Sequence, residues 1–409
     1  MSGATEARTT CCITGGGPAG MTLGVLLARA GIEVLVLEKH KDFLRDFRGD
    51  TIHPSTLELM HELGLLERFL ALPHQEARYL GGVIGDEHVR IADFTHLPTK
   101  CRFVAFMPQW DFLDFMAGEA RAYPAFSLRM ETEALGIIES AGRIAGVRAR
   151  VQHGGELSIR ADLVVGADGR HSTIRRAAGL EVEDIGAPID VLWMRLTRRP
   201  TDGAEALGRV MAGRIFVMID RGDYWQCALV IAKGGFDEVK GRGIEALRST
   251  IAEIAPALKD RVTELRGWED VSLLTVTVDR LKRWWRPGLI CIGDAAHAMS
   301  PVGGVGINLA IQDAVAAANI LAEPLRTGSL RNDNLQAVQD RRMFPTRATQ
   351  ALQVAVQNRI LSRVLAAKAP LSPPWPIKLL SRVPILQRIP ARIVGIGFRP
   401  EHIASPRSH

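Results

Sequence analysis

The sequence predicts an α/β fold, in which a domain built on a parallel sheet is interleaved with a β-rich region and followed by C-terminal helices. A strand–helix–strand unit occupies residues 9–37, and two later apolar strands, near 162–165 and 289–292, also end in glycine turns. Residues 181–278 contain mostly short strand-like runs. Strands that alternate with helices predict a parallel sheet, whereas clustered short strands predict a separate β layer.

The composition is that of an ordinary globular protein. The 409 residues are 47% hydrophobic and 23% charged, and we find no apolar run long enough to span a bilayer and no leader-like segment. The five cysteines include no metal-ligand spacing and no Cys-x-x-Cys pair. We therefore predict buried free thiols, no bound metal and a cytoplasmic location.

The positive charge belongs to the C-terminal part of the chain. From Arg341 onward there are twelve Lys or Arg residues and one acid, Glu401. This part therefore carries a net charge of +11, whereas the whole chain carries +6. The first 340 residues therefore carry a net charge of −5. A basic tail on an acidic body gives little support to nucleic-acid binding, and we expect no nucleic-acid partner.

The first motif lies in the strand–helix–strand unit. The first strand is followed by Gly15-Gly16-Gly17-Pro18-Ala19-Gly20, and the second strand ends at Glu38. In such a turn the first glycine makes the bend, the second admits a pyrophosphate to the helix N-terminus, and the third lets the helix pack closely on the strand. The acid can accept hydrogen bonds from ribose hydroxyls. A bare Gly-x-Gly-x-x-Gly is weak evidence, but this one lies between two strands with the acid in place. We predict a Rossmann-like dinucleotide-binding unit.

A second motif follows the strand at 162–165. The strand ends in a turn that contains Asp168 and Gly169, and a helix with Ser172 at its N-terminus comes next. This is a second polar site at the end of a strand, the position at which open α/β sheets bind ligands.

The third motif covers residues 289–313. An apolar strand ends at Gly293 and Asp294, and Pro301, Gly303, Gly304, Gly306 and Asn308 then lead into an apolar helix. Glycines at a helix start let the backbone approach a flat or anionic ligand, and the carboxylate suits a ribose or ribityl hydroxyl. Taken alone, this stretch is equally consistent with an ordinary strand–loop–helix turn.

The three motifs occur in the order that is characteristic of one family. From the first motif to about Arg342 the chain resembles the single-component FAD-dependent aromatic hydroxylases, the flavin monooxygenases similar to para-hydroxybenzoate hydroxylase. The resemblance implies that the first domain is a Rossmann-like FAD-binding domain and that the second motif serves both FAD and NAD(P)H. It also implies that Asp294 binds the ribityl chain and that the loop at 301–308 lies against the isoalloxazine ring.

Further cofactor residues follow from the same resemblance. Glu38 takes the adenosine ribose, Arg48 matches the arginine of the family's Arg-Gly loop, and Gln109 matches a glutamine that precedes a helix and contacts FAD. Pro108 stands where the family often has arginine. The predicted cofactor-binding set is Gly15, Gly17, Pro18, Ala19, Gly20, Glu38, Lys39, Arg48, Gln109, Asp168, Gly169, Asp294, Pro301, Gly304, Val305, Gly306 and Asn308.

The domain boundaries follow the motifs. Residues 1–79, 100–180 and 275–340 are predicted to form a discontinuous FAD-binding domain, 80–99 and 181–274 a β-rich substrate domain, and 341–409 a basic helical tail. Core packing is the favoured role for any one large side chain of the β-rich region. A cavity facing the flavin would recruit some of them, and we select Trp193, Phe216, Met218 and Trp225, together with Pro301, as substrate contacts.

The tail allows three interpretations. Its short apolar and basic segments between prolines can pack over the protein, form a homodimer face, or lie on an anionic membrane surface. Packing over the protein is favoured, and the chain is expected to be a monomer or a homodimer.

The resemblance also implies a reaction. NADPH or NADH reduces FAD, and O2 then forms a C4a-hydroperoxyflavin that hydroxylates an aromatic, polycyclic or quinone-like small molecule. Backbone N–H groups at 304–307 are candidates for holding the negative charge of reduced flavin. No second Gly-x-Gly-x-x-Gly unit is present for a separate nicotinamide domain. We assign no catalytic acid or base among His53, His297 and the three tyrosines.

Three alternatives remain at this point. An FAD-dependent reductase or epoxidase of a lipid or isoprenoid would use the same scaffold and would suit the apolar, basic tail. A non-catalytic flavin-binding protein is disfavoured by the complete motifs. Halogenation is disfavoured because the Trp-x-Trp-x-Ile-Pro signature is absent; the run at Trp193 has no second tryptophan.

Overall fold

The computed structural model describes residues 5–44, 51–203 and 207–408. Its strands, in chain order, are β1 (Thr5–Thr14), β2 (Val34–Leu37), β3 (Thr51–Ile52), β4 (Gln75–Ala77), β5 (Tyr79–Ile84), β6 (Glu87–Asp93), β7 (Val104–Phe106), β8 (Phe126–Arg129), β9 (Thr132–Ser140), β10 (Arg143–Val151), β11 (Glu156–Gly166), β12 (Val182–Asp184), β13 (Ile189–Thr197), β14 (Leu207–Met211), β15 (Arg214–Asp220), β16 (Tyr224–Ala232), β17 (Ser272–Leu274), β18 (Asp279–Leu281), β19 (Trp285–Arg286), β20 (Leu289–Cys291) and β21 (His297–Ala298).

The α-helices follow the same chain order. They are α1 (Pro18–Arg29), α2 (Pro54–Glu62), α3 (Leu66–Leu70), α4 (Gln109–Ala120), α5 (Thr173–Ala177), α6 (Phe236–Gly241), α7 (Ile244–Ile254), α8 (Gly306–Arg326), α9 (Asn332–Val356), α10 (Ser362–Ala366), α11 (Trp375–Arg382) and α12 (Pro384–Gly395); a π-helical turn, Gln357–Leu361, joins α9 to α10.

The larger sheet is the parallel sheet that the sequence predicts. Its strands lie in the order β19-β20-β11-β1-β2-β8, and the four pairings from β20 to β8 are parallel. β10 and β9 extend it from β11 as an antiparallel pair. Cys11, Cys12 and Ile13 in the central strand are fully buried, because a parallel strand is covered on both faces.

The sequence predicts a single strand at 127–139, whereas the structure has two strands there. The run at 127–139 divides into β8, which pairs in parallel with β2, and β9, which pairs antiparallel with β10. Glu131 lies between them with a φ of +52°, a left-handed conformation that turns the chain from one partner to the other.

The β-rich region forms the second sheet, in the order β17-β13-β16-β15-β14-β5-β6. All its pairings are antiparallel except that between β14 and β5. Strands from 79–93, 189–232 and 272–274 thus meet in one layer, and α7 packs on one of its faces. Two three-stranded sheets, β12-β18-β21 and β3-β7-β4, complete the pairing. The predicted domain boundaries stay predictions.

The long helix after the third motif belongs to the core. Contrary to the expectation from the sequence, the stretch Val302–Arg326 is long and apolar enough to cross a membrane, but 78% of its 18-residue apolar segment is buried inside the protein. α8 packs with α1 and the parallel sheet in one hydrophobic core. The five cysteines are free and buried, as predicted.

The sequence predicts a helical run at 330–367 that is interrupted by Pro345, but α9 continues through this proline from Asn332 to Val356. A proline inside a helix costs about 3 kcal/mol. Buried polar side chains, Arg342 before the proline and Gln350 and Gln353 after it, bond to the rest of the protein and hold the helix on both sides.

The tail packs over the protein, as the favoured interpretation has it. α11 and α12 lie against β6, and a Cβ at Gly395 would come within 2.7 Å of the Leu97 side chain. Beyond α12, Glu401 is buried at 2% exposure and bonds to Arg341 and Arg342.

Candidate active site

The first glycine turn has the geometry of a phosphate-binding turn. Gly15 has a φ of +102°, and a Cβ there would lie 2.3 Å from the Ala167 carbonyl oxygen. A Cβ at Gly20 would lie 2.0 Å from the Gly15 carbonyl oxygen, so this glycine lets α1 pack on the turn. A Cβ at Gly17 would meet no atom within 4 Å. The middle glycine, at the N-cap of α1, therefore opens onto space that can admit an anionic group.

Glu38 lies beside this turn. Its Oε2 accepts a hydrogen bond from the Gly16 backbone N–H at 3.0 Å, and its Oε1 accepts one from His40 at 3.1 Å. Next to it is a cavity of about 420 Å³, which has three basic or imidazole side chains on its wall. The lining residues are Lys39, His40, Lys41, Asp42, Leu44, Glu131 and Gln152. The space beyond Glu38 can hold a nucleoside.

The carboxylate of the second motif forms hydrogen bonds with the start of the helix that follows it. Asp168 accepts hydrogen bonds from Ser172 Oγ at 2.5 Å and from the backbone N–H groups of Thr173 and Ile174 at 2.7 and 3.1 Å. Burial raises the pKa of Asp168, and these hydrogen bonds oppose the rise. Asp168 therefore caps the start of α5, and the backbone of its turn lies against Gly15.

The third motif meets the other two. A Cβ at Gly293 would lie 3.1 Å from the Ala19 Cβ, so the Gly293 turn packs on the start of α1. The Asp294 side chain is 35% exposed and forms an ion pair at 3.7 Å with Arg170, which follows the Asp168–Gly169 turn. Three strand ends that are far apart in sequence thus converge, at the edge of the sheet where ligands bind.

We call residues 300–308 the ring loop. Gly303 and Gly304 have positive φ values of 80° and 63°, and a Cβ at Gly304 would lie 2.4 Å from Thr51 Oγ1. Thr51 Oγ1 donates to the Gly304 carbonyl at 2.8 Å. The loop thus lies tightly against the segment before α2 and ends at the first turn of α8, where Gly306 and Ile307 present backbone N–H groups.

Asn308 joins the ring loop to that same segment. Its Oδ1 accepts from the His53 backbone N–H at 2.9 Å and from Thr56 Oγ1 at 2.7 Å, and its Nδ2 donates to the Thr51 carbonyl at 3.0 Å. The amide is committed to these contacts and is 5% exposed. Asn308, which the resemblance places among the cofactor residues, acts on this geometry by fixing the loop.

A row of buried glutamines on α9 and the start of the π-helical turn holds the other side of the ring loop. Gln353 accepts from the Ser300 N–H at 3.1 Å and donates to the carbonyls of Ser300 and Val302 at 2.9 Å each. Gln357 donates to Ser300 Oγ at 2.6 Å, and Gln350 donates to the carbonyls of Asp279 and Ala298.

This row was not predicted from the sequence. Its members, with Gln339, Arg342 and Thr346, recur at three- and four-residue spacings, which is the pattern of one helix face. A polar helical face usually faces solvent, and spacing alone does not distinguish that case from a buried one.

A buried ion-pair network connects the third motif to the tail. The Asp313 carboxylate accepts from the Gly293 N–H at 3.1 Å, pairs with His297 Nε2 at 2.5 Å and accepts from Arg342 Nε at 2.9 Å. Arg342 Nη1 also lies 3.5 Å from Glu401. Burial raises the pKa of Asp313, but His297 and Arg342 outweigh it and leave the pKa below its usual value.

Both buried histidines have structural partners. His53 Nδ1 lies 2.6 Å from the Val394 carbonyl oxygen, and since a carbonyl only accepts, this nitrogen carries the proton. Burial lowers the pKa of His53 to about 4, although the bond to Val394 opposes the change. The sequence favours a structural His297 that bonds loop backbone over a catalytic base, but the ring bonds the Asp313 carboxylate.

The substrate prediction does not hold for three of its residues. Phe216, Met218 and Trp225 are 0%, 5% and 2% exposed and pack in the core between the second sheet and α7. Alternation along the strands places them on that face. The half-buried Trp193 lies on the opposite face, where Leu361 and Leu365 of the tail pack with it in one cluster.

The remaining predicted residues are Gln109, Pro301 and Arg48. Gln109 is the first residue of α4. Two residues later, burial and the neighbouring Asp114 carboxylate raise the pKa of Asp111, and the Arg221 guanidinium in the β15–β16 turn opposes the rise. Pro301 lies in the ring loop. Arg48 lies outside the described residues.

The converging turns fit FAD, with an open position for an anionic group at Gly17, a half-exposed carboxylate at Asp294 and helix N–H groups after the ring loop. The comparisons agree. The family described as "FAD binding domain" matches residues 8–352. A curated relative, the 6-methylpretetramide 4-monooxygenase of Streptomyces rimosus, is 35% identical over 95% of this chain and 92% of its own length.

Solved structures share the fold. PqsL, described as a probable FAD-dependent monooxygenase from Pseudomonas aeruginosa, superimposes with a TM-score of 0.74 at 22% identity over 88% of this chain and 98% of its own. OxyS, the anhydrotetracycline hydroxylase from Streptomyces rimosus, gives 0.70 at 24% identity over 95% and 76%. The chain belongs to the FAD-binding-domain family and is a flavin-dependent aromatic monooxygenase that takes electrons from NAD(P)H and oxygen from O2.

Proposed function

We propose that the substrate is a tetracyclic aromatic polyketide that carries phenolic hydroxyls, as a pretetramide does. The relative that acts on 6-methylpretetramide matches nearly the whole of this chain, including the tail. The observation that carries the proposal is the position of the helical segment from Gln357 to Leu365, which runs from the ring loop to the Trp193 face of the second sheet.

The length of this segment gives the separation between the ring loop and the Trp193 face of the second sheet. Gln357 bonds to Ser300 at one end, and Leu361 and Leu365 pack in the Trp193 cluster at the other. Eight residues of helix extend about 12 Å at about 1.5 Å per residue. If the substrate lies between the ring loop and the sheet, a separation of this size suits a flat, fused-ring molecule, on which the Trp193 indole can stack.

For the cofactor we propose that the first turn and the start of α1 hold the pyrophosphate, Glu38 the adenosine ribose and Asp294 the ribityl chain. The ring loop would then lie against the isoalloxazine ring. Bound FAD supplies hydride acceptance and oxygen activation. The chain's own residues orient the two ligands, exclude water from between them, and present the N–H groups that follow Gly304 to negative charge.

A substrate screen tests the proposal. Holoenzyme is mixed with NADPH or NADH and with 6-methylpretetramide, a tricyclic anthraquinone or para-hydroxybenzoate, and NAD(P)H oxidation is followed. We expect the tetracyclic compound to stimulate oxidation most. Trp193→Leu should raise its KM about tenfold, the value of a lost aromatic contact of about 1.4 kcal/mol, whereas Trp225→Leu should lower stability and leave KM unchanged. Stimulation by para-hydroxybenzoate alone would contradict the proposal.

For the tail we propose contact with an anionic membrane surface by an otherwise cytoplasmic enzyme. The outer faces of α11 and α12 expose Trp375, Ile385 and Ile389 at 75%, 64% and 60%. Arg388 and Arg392 share the outer face of α12 with these isoleucines. Exposed apolar side chains among arginines are typical of helices that lie on anionic lipid.

Vesicle flotation tests this contact. The full chain should float with phosphatidylserine-containing vesicles at low salt, and the fraction bound should fall at high salt and on pure phosphatidylcholine. Ile385→Ser with Ile389→Ser should abolish flotation without changing the melting temperature, because both side chains are exposed. Truncation of the tail is avoided because it would remove the buried Glu401. Failure of the wild-type chain to float at low salt would refute the contact.

A further inference from the structure

We propose that Gln353 is a positioning residue for the flavin, because its amide fixes the conformation of the ring loop from outside the FAD site. It makes three hydrogen bonds, one from the Ser300 N–H and two to the carbonyls of Ser300 and Val302. These groups flank Pro301, which itself has no N–H to offer. One side chain thus satisfies the backbone on both sides of the proline.

The loop has little means of holding this shape by itself. Gly303 and Gly304 follow directly, both with positive φ, and glycines lose the most conformational freedom when they are fixed. Within the loop, the Gly304 N–H donates to the Pro301 carbonyl at 3.0 Å, the Val302 N–H donates to Ser300 Oγ at 3.2 Å, and Asn308 Nδ2 lies 3.5 Å from the Gly304 carbonyl. The conformation of the loop therefore depends on the side chains that form hydrogen bonds with it.

Side chains hold the ring loop at both of its ends. Thr51 holds the Gly304 end, where Asn308, the last residue of the loop, also donates to the Thr51 carbonyl, and Gln353 with Gln357 holds the Ser300 end. Gln353 is 3% exposed and lies on the long helix α9, so its position is fixed by the core. A loop that is held at both ends presents its N–H groups in one orientation, which is what preorganised stabilisation of charge on the flavin requires.

The chain supplies a matched control, Gln339. This glutamine lies on the same buried face of α9, is 8% exposed, and likewise bonds backbone on both sides of one segment, accepting from the Trp284 N–H and donating to the Lys282 carbonyl. It lies fourteen residues before Gln353 and touches no part of the ring loop. Gln339→Met and Gln353→Met therefore remove similar buried hydrogen bonds at different distances from the flavin.

The test measures cofactor binding, not turnover. Apoprotein of each variant is titrated with FAD by flavin fluorescence, and the visible circular dichroism of the bound flavin is recorded. Both variants should melt at lower temperature. Only Gln353→Met should raise the FAD dissociation constant, about tenfold, as expected for one buried polar group left unpaired near the ligand, and only it should alter the visible spectrum. Equal dissociation constants and spectra for the two variants would overturn the proposal.

Two further variants keep the result interpretable. The inference rests on the proposed contact between the ring loop and the flavin ring, and Gly304→Ala, which forces the loop and Thr51 apart, tests that contact independently of Gln353. If Gly304→Ala changes the flavin spectrum and Gln353→Met does not, the contact stands and the role of Gln353 falls. If Gln353→Met does not fold, Gln353→Glu replaces it. That variant keeps one acceptor and gains a donor only when its carboxyl is protonated, so its affinity for FAD should improve as the pH is lowered; no improvement would count against the proposal.

Discussion

Replacing Asp294 by alanine is expected to give a folded protein that is purified without FAD. The Asp294 carboxylate is about one-third exposed, and its ion pair with Arg170 is long, at 3.7 Å. Such an ion pair contributes roughly 0–1 kcal/mol to folding, so the variant should melt close to the wild-type temperature. Hydrogen bonds to a charged group contribute about 1.5–3 kcal/mol each, so losing the hydrogen bonds that we propose with the ribityl hydroxyls should weaken FAD binding at least about tenfold.

Arg170→Met is the matched control for Asp294→Ala. It removes the same ion pair but leaves the carboxylate, so it should retain FAD if the carboxylate is what binds the ribityl chain. Flavin absorbance of the purified proteins and titration of the apoproteins provide the measurement. Equal loss of FAD in both variants would show that the ion pair, not the carboxylate, supports the cofactor.

Replacing Arg342 by methionine is expected to cause the largest loss of stability of any substitution considered. Arg342 is fully buried between Asp313, which is also fully buried, and Glu401. Removing one partner of a buried ion pair costs about 3–5 kcal/mol, because the remaining charge is left without compensation. Urea unfolding measures the loss. Arg326→Met, which breaks an exposed pair with Glu323, should cost no more than about 1 kcal/mol.

The pH dependence of the Arg342 variant adds a second readout. In the wild type the pKa of Asp313 lies below its usual value, so its contribution to stability is present above the unfolded pKa and is lost only as the pH falls through the lower, folded pKa. Without Arg342, His297 is the remaining charged partner that lowers the pKa of Asp313. Burial should then raise this pKa. Acid unfolding should therefore begin at a higher pH in Arg342→Met than in the wild type. Identical acid transitions would contradict this role for Arg342.

The glycine turns could be predicted from the sequence because their requirements are local. Gly15 and Gly20 are fixed by close backbone approach, which no other residue allows, and the spacing records that constraint directly. Gly304 was predicted on the same ground, namely that a glycine allows a close approach. The resemblance to a known family then joined the three turns into one site, which the sequence could not do by physical reasoning alone.

The substrate face and the supporting contacts required the structure. Alternation places Phe216 and Met218 on one face of their strand, but it does not say which face meets the flavin and which meets α7. Arg342 and Glu401 are 59 residues apart, so their contact is not visible in local patterns. The buried glutamine face of α9 was missed because its periodicity is the same as that of a solvated face.

The most direct test of the central claim is the source of the oxygen in the product. Holoenzyme is incubated with NADPH and 6-methylpretetramide under isotopically labelled O2, and the product is analysed by mass spectrometry. We predict a product that carries one labelled oxygen atom and is formed in proportion to the NADPH consumed. A product that has gained hydrogen without oxygen, or whose new oxygen comes from water, would contradict the assignment of this chain as an aromatic monooxygenase.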